Sequence, residues 1–237
     1  ISECVSAGIK LKIVTGDHIL TAHAIADASG IEHSHANMST GEELDLLPAS
    51  ELARLVHSSN IFARIRPEQK HAIVEALRQS GEIVAMTGDG INDAPALKRA
   101  NIGVAMGKRG TAVAMAAAHI VLLEDNFSSL VATVREGREI LFNIIRSFRF
   151  LVAFHIPIVG LALLAPIMRL HLLLLPVHFV WLELIIHPIS ALAFEGLPMS
   201  SDVMKMPPRN PDSPLLTRSQ MIRSGICGIF LTLATFF

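Results

Sequence analysis

The sequence carries almost no net charge: 20 lysines and arginines stand against 21 aspartates and glutamates, a formal −1. Nucleic-acid binding needs a strongly basic face, so that class of partner is excluded. Two cysteines in 237 residues cannot build a disulfide framework, which points to a reducing compartment and to free thiols at Cys4 and Cys227. No signal peptide is visible and the chain opens on Ile1 rather than Met, as a segment of a longer protein would. Charge of either sign also runs short in the second part. Of the charged residues, 32 fall in the first 149 positions and nine in the last 88. A soluble enzyme of uniform composition is therefore excluded.

Long apolar runs take the place of that charge. Residues 150–168 are 19 consecutive positions without a formal charge, and the 25 residues of 170–194 contain only Glu183. A helix needs about 20 apolar residues to cross a bilayer core. Spans are accordingly predicted over about 150–168 and 174–195. A third run, 224–237, stops after 14 residues and predicts an incomplete span over about 219–237.

The first half alternates short β-rich runs, at 11–14, 83–86, 102–105 and 120–123, with helical stretches at 19–28, 69–78 and 111–118. Such alternation predicts an α/β fold with a parallel, doubly wound sheet, whose ligands bind outside the carboxyl ends of the strands. Two of these runs lead into Thr-Gly-Asp, at Thr15-Gly16-Asp17 and Thr87-Gly88-Asp89. One such tripeptide reads as an ordinary strand-to-helix turn. Two copies, the second continuing through Gly90, Ile91, Asn92, Asp93, Ala94 and Pro95, predict a phosphate-handling rim. Gly16, Gly88 and Gly90 admit an anion to the backbone. Asp89 offers the hard oxygen that magnesium prefers. Thr15 and Asn92 donate to phosphate oxygens, and Lys70, three residues after Pro67, supplies a cation on the first turn of a helix.

These strings resemble a known family. TGDGINDAPAL (87–97) looks like the hinge signature of P-type ATPases, ion pumps that form an aspartyl-phosphate. IVTGDHILTAHAIA (13–26) and FARIRPEQKHAIV (62–74) resemble that family's TGD and phosphate-lysine segments. ANIGVAMGKRGTAVA (100–114) and VLLEDNFSSLVATVREGREI (121–140) also match, most closely the calcium and sodium–potassium branch. The resemblance covers nearly the whole chain. It implies a haloacid-dehalogenase-like phosphorylation domain in which Thr15, Gly16, Lys70 and Asn92 contact the phosphoryl group and Asp89 binds magnesium. Asp17 and Asp93 would then orient Lys70 and the metal's water shell. The family's nucleophile lies in a DKTGT string, which does not occur here. That motif and the nucleotide-binding domain precede the first TGD in the family, so ATP chemistry is expected to need the rest of the pump upstream. The chain alone is expected to be inactive. The division implied is 1–127 for part of the phosphorylation domain, 128–149 for a stalk helix and 150–237 for the membrane region.

Asn126 or Ser128 is positioned to cap a helix beginning near Ser129. No proline interrupts the path before Pro157, so one helix could run into the membrane for about 60 Å at 1.5 Å per residue. Arg146 and Arg149 before the first span, and Lys205, Arg209, Arg218 and Arg223 in or near the segment after the second, outnumber Arg169 in the short link between them. The positive-inside rule then places the first half and the proline-rich stretch 198–214 in the cytoplasm, with the plasma membrane as the expected site. Glu183, His187 one turn later and His155 beside Pro157 are ionisable groups at membrane depth, which mark an ion pathway. By alignment with the family they do not reproduce a calcium ligand set, and Ile158 stands at a glutamate position. His and Glu suit a proton relay or a transition metal better than calcium, which takes six to eight hard oxygens. His171 and His178 read as interfacial anchors and His119 as structural. His33 and His35 read as a solvated loop, for want of a cysteine or second pair at zinc-site spacing. The function expected is ATP-driven cation translocation. A membrane-tethered phosphatase of the same superfamily, or a catalytically incomplete assembly partner, remains open.

Overall fold

A computed structural model describes residues 1–169, 171, 174–197 and 202–236. The start of the proline-rich stretch at 198–201, Leu170, Leu172 and Leu173 in the second apolar run, and Phe237 lie outside them. Two compact units emerge: Ile1–Thr133 with Met204–Pro207, and Val134–Val203 with Pro208–Phe237.

In the first unit the chain runs α1 (Ser2–Ser6), β1 (Ile13–Val14), α2 (Ile19–Ser29), β2 (Met38–Thr40), α3 (Gly41–Asp45), α4 (Ala49–Ser58), β3 (Ile61–Ala63) and α5 (Pro67–Gln79). It continues through β4 (Ala85–Gly88), α6 (Ala94–Arg99), β5 (Ile102–Met106), α7 (Ala112–Ala117) and β6 (Ile120–Leu122). Every strand pairing is parallel. The α/β expectation holds, with one difference: the strands form two three-stranded sheets, ordered β1-β3-β2 and β4-β5-β6, rather than one. The reason is local. Among the described residues β1 bonds only to β3 and β4 only to β5, so each presents an open edge.

β3 was not legible as a strand. Three residues are too few to show a period, and all three are buried. Their alternation builds the core. Phe62 faces Leu44, Val56, Ile65 and Ile73, from α3, α4 and α5 and the loop after β3. Ile61 and Ala63 face Ala22 and Ala26 of α2 on the other side. Around the second sheet, Val74 packs with Ala96 and Ala100, and Leu97 with Ala105 and Ala114.

The second unit holds most of α8 (Phe127–Ile167), with α9 (Pro176–Glu195) and α10 (Arg218–Phe236). α8 is one helix of 41 residues, about 60 Å at 1.5 Å per residue. Asn126 is its cap: its Oδ1 accepts the Ser128 backbone N–H at 2.9 Å, which places Ser128 inside the helix and corrects the alternative cap. Among the described residues α8 and α9 are long and apolar enough to cross a membrane. Their outward side chains, Val159, Leu163, Val180, Trp181, Leu184 and Leu192, are exposed, as lipid contact requires and a soluble core helix would not show. α10, with Arg218 and Arg223 in its first two turns, is a helix over the stretch expected to hold the incomplete third span. Gly160 of α8 and Gly228 of α10 let these helices approach closely. A Cβ on Gly160 would lie 2.6 Å from Thr232 Cγ2, and one on Gly228 2.6 Å from Ile156 Cβ.

Candidate functional site

The two Thr-Gly-Asp segments expected to handle phosphate stand where β1 and β4 end. At the first Thr-Gly-Asp, the Thr15 N–H bonds to Phe62 O and the Ile65 N–H to Thr15 O, tying this loop to the end of β3. The Arg64 N–H reaches Asp17 O while Arg64 itself turns through a left-handed φ of 53°. Gly16 and Asp17 are exposed. The Thr15 hydroxyl donates to Asp17 Oδ2 at 3.0 Å, which holds that carboxylate against its neighbouring threonine.

The second Thr-Gly-Asp is organised by Asp93, only 6% exposed. Its Oδ2 accepts the backbone N–H groups of Asp89, at 3.3 Å, and Gly90, at 3.2 Å. Its Oδ1 accepts Lys70 Nζ at 2.7 Å. Gly88 is what allows this, because a Cβ there would sit 2.6 Å from Asp93 Cβ. Pro67 starts α5, so Lys70 projects from the first turn toward that carboxylate. Asp89 and Asn92 are left exposed beside the knot. The groups beside the knot fit a small hard dication: the solvent-facing Asp89 carboxylate, the Asp93 carboxylate already neutralised by Lys70, and the neutral Asn92 amide. The loop after β5 is fixed by Asp125, whose carboxylate accepts the N–H groups of Lys108 and Arg109, each at 2.9 Å. Those backbone hydrogen bonds, led by Lys108, hold the Asp125 carboxyl below its ordinary value.

In the second unit the three ionisable groups expected at membrane depth come together. His155 Nε2 lies 3.0 Å from Glu183 Oε1, and His187 Nδ1 lies 3.0 Å from Glu183 Oε2. The two imidazoles are 5.0 Å apart between centroids. His155 Nδ1 sits 2.7 Å from Leu151 O, and a carbonyl can only accept, so this nitrogen carries the proton. The Nε2 lone pair of a neutral His155 would then face a carboxylate oxygen. That contact is stable only with a proton or another cation between them. His187 Nε2 is buried and has no hydrogen-bond partner among the described residues. Nearby, Pro157 has no N–H to give the Ala153 carbonyl, which instead faces Gly228 on α10.

The remaining histidines divide. His119 Nδ1 accepts the Gly103 N–H at 2.9 Å and is structural, as expected. His178 Nδ1 accepts the Leu175 N–H at 3.2 Å at the start of α9. Cys4 and Cys227 are both free. The reading of His33 as part of a solvated loop is corrected: its side chain is 6% exposed and lies against His23 and Asp27 of α2. The side chain of His35 lies outside the described ones.

Comparison with known proteins decides the lineage. Residues 1–101 match the model of the haloacid dehalogenase-like hydrolases, and residues 171–237 that of the cation transporting ATPase C-terminus. The chain is 44% identical over its full length to "Calcium-transporting ATPase 1" of Bacillus cereus, covering 27% of that protein. The chain belongs to the P-type cation-transporting ATPases. It is also 42% identical to "Cation-transporting ATPase pma1" of Synechocystis, over 97% of this chain and 26% of that one. A "Calcium-transporting ATPase" of Bacillus subtilis is 41% identical over 92% of this chain and 24% of its own length. The chain thus spans about a quarter of the P-type ATPase relatives it matches. The order of parts, haloacid-dehalogenase-like sheets followed by apolar helices, is the family's own.

Proposed function

We propose that the intact protein is an ATP-driven cation pump working through an aspartyl-phosphate, and that this chain contributes the phosphate-site hinge and part of the ion pathway. What carries the reading is the pairing in one chain of a phosphate-type knot, Lys70–Asp93 beside Asp89, with an intramembrane Glu183–His155–His187 cluster. A phosphatase merely tethered to a membrane has no use for the second. Ionisable groups at such depth are costly to keep.

In this reading Lys70 neutralises phosphoryl oxygens while Asp93 fixes its position, and Thr15 and Asn92 donate hydrogen bonds to the same group. The Thr15 hydroxyl, whose one proton is given to Asp17 Oδ2 in this structure, would turn to the phosphoryl group when that group is bound. Asp89, with Asp93 behind it, would hold magnesium, which when bound offsets the charge of the phosphoryl oxygens. The nucleophilic aspartate and the ATP site would come from upstream. A strand from that part fits the fold, since among the described residues β1 and β4 each keep one edge without a strand partner. The relatives named for calcium support transport of a cation. Two imidazoles and one carboxylate are a poor calcium shell, so a proton or a transition dication is the better cargo. The basic residues flanking the spans support a cytoplasmic phosphorylation domain.

The test uses the full-length parent in membranes: acid-stable phosphorylation from labelled ATP, across a panel of cations and across pH. The expected result is a phosphoenzyme whose level responds to one cation, no turnover in Asp89→Ala, and loss of cation dependence with hydrolysis retained in Glu183→Gln. Wild-type turnover in Asp89→Ala would sink the assignment. Absence of a phosphoenzyme under every condition would favour a phosphatase or an inactive assembly partner.

A further inference from the structure

We infer that His23, Asp27 and His33 form a metal site in the first unit, selective for a borderline dication of the zinc class. It lies at the C-terminal end of α2, on residues that the phosphate rim does not use.

The ligand atoms of the three side chains lie within 4.8 Å of one another. His23 and Asp27 are one turn apart on the same helix face, with Nδ1 and Oδ2 separated by 2.9 Å. His33 is brought back over that turn by the way the helix ends. Gly30 adopts a left-handed φ of 68°, its N–H bonds to Asp27 O, and the Ile31 N–H bonds to Ala26 O. That reversal is open to glycine at little cost. The His33 ring then meets the His23 ring edge to face, with centroids 4.7 Å apart.

The decisive detail is on the far side of the His33 ring. Its Nδ1 lies 2.8 Å from the Ile31 carbonyl, which can only accept, so Nδ1 carries the proton. A neutral His33 therefore directs the lone pair of Nε2 toward Asp27 Oδ1, 3.7 Å away. Two electron-rich atoms face each other at a distance too long for a hydrogen bond. This is the arrangement of a metal-binding histidine, whose second nitrogen donates to a carbonyl and so fixes tautomer and ring plane. His33 is also 94% buried as a side chain, being 6% exposed, so its aim is set before any ligand arrives. A tetrahedral ion with bonds of about 2.0–2.1 Å needs ligand atoms about 3.3 Å apart, which small side-chain movements supply from the present 2.9 and 3.7 Å. Two imidazoles and one carboxylate suit zinc, and the open side next to the exposed Asp27 leaves a fourth position for water. The C-terminal end of a helix also favours positive charge.

The experiment titrates zinc into the full-length parent in detergent, purified on a histidine-free tag. A Glu183→Gln background isolates this site from the membrane cluster. Cobalt, whose visible bands report ligand number and geometry, serves as the spectroscopic substitute. One zinc should be lost from His33→Gln, His23→Gln and Asp27→Asn, with affinity falling at least about 100-fold, the upper end of what even a supporting contact costs. His23→Gln, at the more exposed of the two histidines, should lower the metal-free melting temperature less than His33→Gln does. Zinc should raise the melting temperature of the background but not of the variants. Equal zinc content in all proteins, or cobalt spectra unchanged by His23→Gln, would overturn the site and leave a protonated His33–Asp27 ion pair instead. Since hydrolysis plays no part in the readout, failure here leaves the pump reading untouched.

Discussion

The Lys70–Asp93 knot can be tested by subtracting its parts. Asp93→Ala strands the Lys70 ammonium, whose side chain is 18% exposed, and leaves the N–H groups of Asp89 and Gly90 without their acceptor. Stranding one partner of a buried ion pair costs about 3–5 kcal/mol, and the residual access of Lys70 to water puts this case near about 3. Asp93→Asn keeps an oxygen for both N–H groups and gives up only the charge. Its cost should be about 1–2 kcal/mol, the margin between charge-assisted and neutral hydrogen bonds. Adding Lys70→Met to Asp93→Ala removes the stranded cation, so the double variant should be more stable than Asp93→Ala alone. At roughly 4 °C per kcal/mol for a domain of this size, calorimetry of the full-length protein should show drops of about 12 °C and about 4–8 °C for the two single variants. If alanine and asparagine were equally harmful, or if Lys70→Met gave no relief, the carboxylate would not be acting through Lys70.

Other expectations follow from the same contacts. The Asp125 carboxyl titrates below its unfolded value, so the stability it adds is present above about pH 4 and disappears as pH falls through the folded value. Melting followed from pH 6 downward should therefore be flatter in Asp125→Asn, and an unchanged slope would refute the assignment. Glu75 is held at about 2 by hydrogen bonds from Arg99 and Gln79; in Arg99→Met its NMR titration should move back toward about 4.3. On α10, Gly228→Ala should weaken packing against Ile156. Gly225→Ala, where a Cβ meets nothing within 4 Å, should be neutral or stabilise by up to about 1 kcal/mol through helix propensity. Identical melting of the two variants in detergent would argue against the α8–α10 contact.

Legibility in the sequence followed the range of the cause. α8 could be read because helix periodicity and the lack of proline before Pro157 are local, and the Asn126 cap is two residues from the N–H it serves. The strands at 102–105 and 120–123 appeared within a residue of β5 and β6. β3 did not, because its burial comes from α2, α4 and α5 closing over it. Asp93 was expected to orient Lys70, and the ion pair between them is in place. Asp17, expected with Asp93 to orient Lys70 and the metal's water shell, accepts the Thr15 hydroxyl. The His23–Asp27–His33 cluster contains no cysteine and no fixed zinc spacing, so motif spacing does not reveal it. Its signal was a histidine and an aspartate four apart on a helix, followed by a glycine able to reverse the chain.

The two open sheet edges have a consequence for how the first unit comes apart. Among the described residues β1-β3-β2 and β4-β5-β6 share no strand pairing; α5 links them, by packing Val74 on Ala96 and Ala100 and by reaching Asp93 through Lys70. Helix packing of this kind transmits less cooperativity than a shared hydrogen-bond ladder, so each sheet is a candidate foldon. Amide exchange should resolve two protection levels, one for Ile61–Ala63 and one for Ile102–Met106, that merge only when a strand joins β1 to β4.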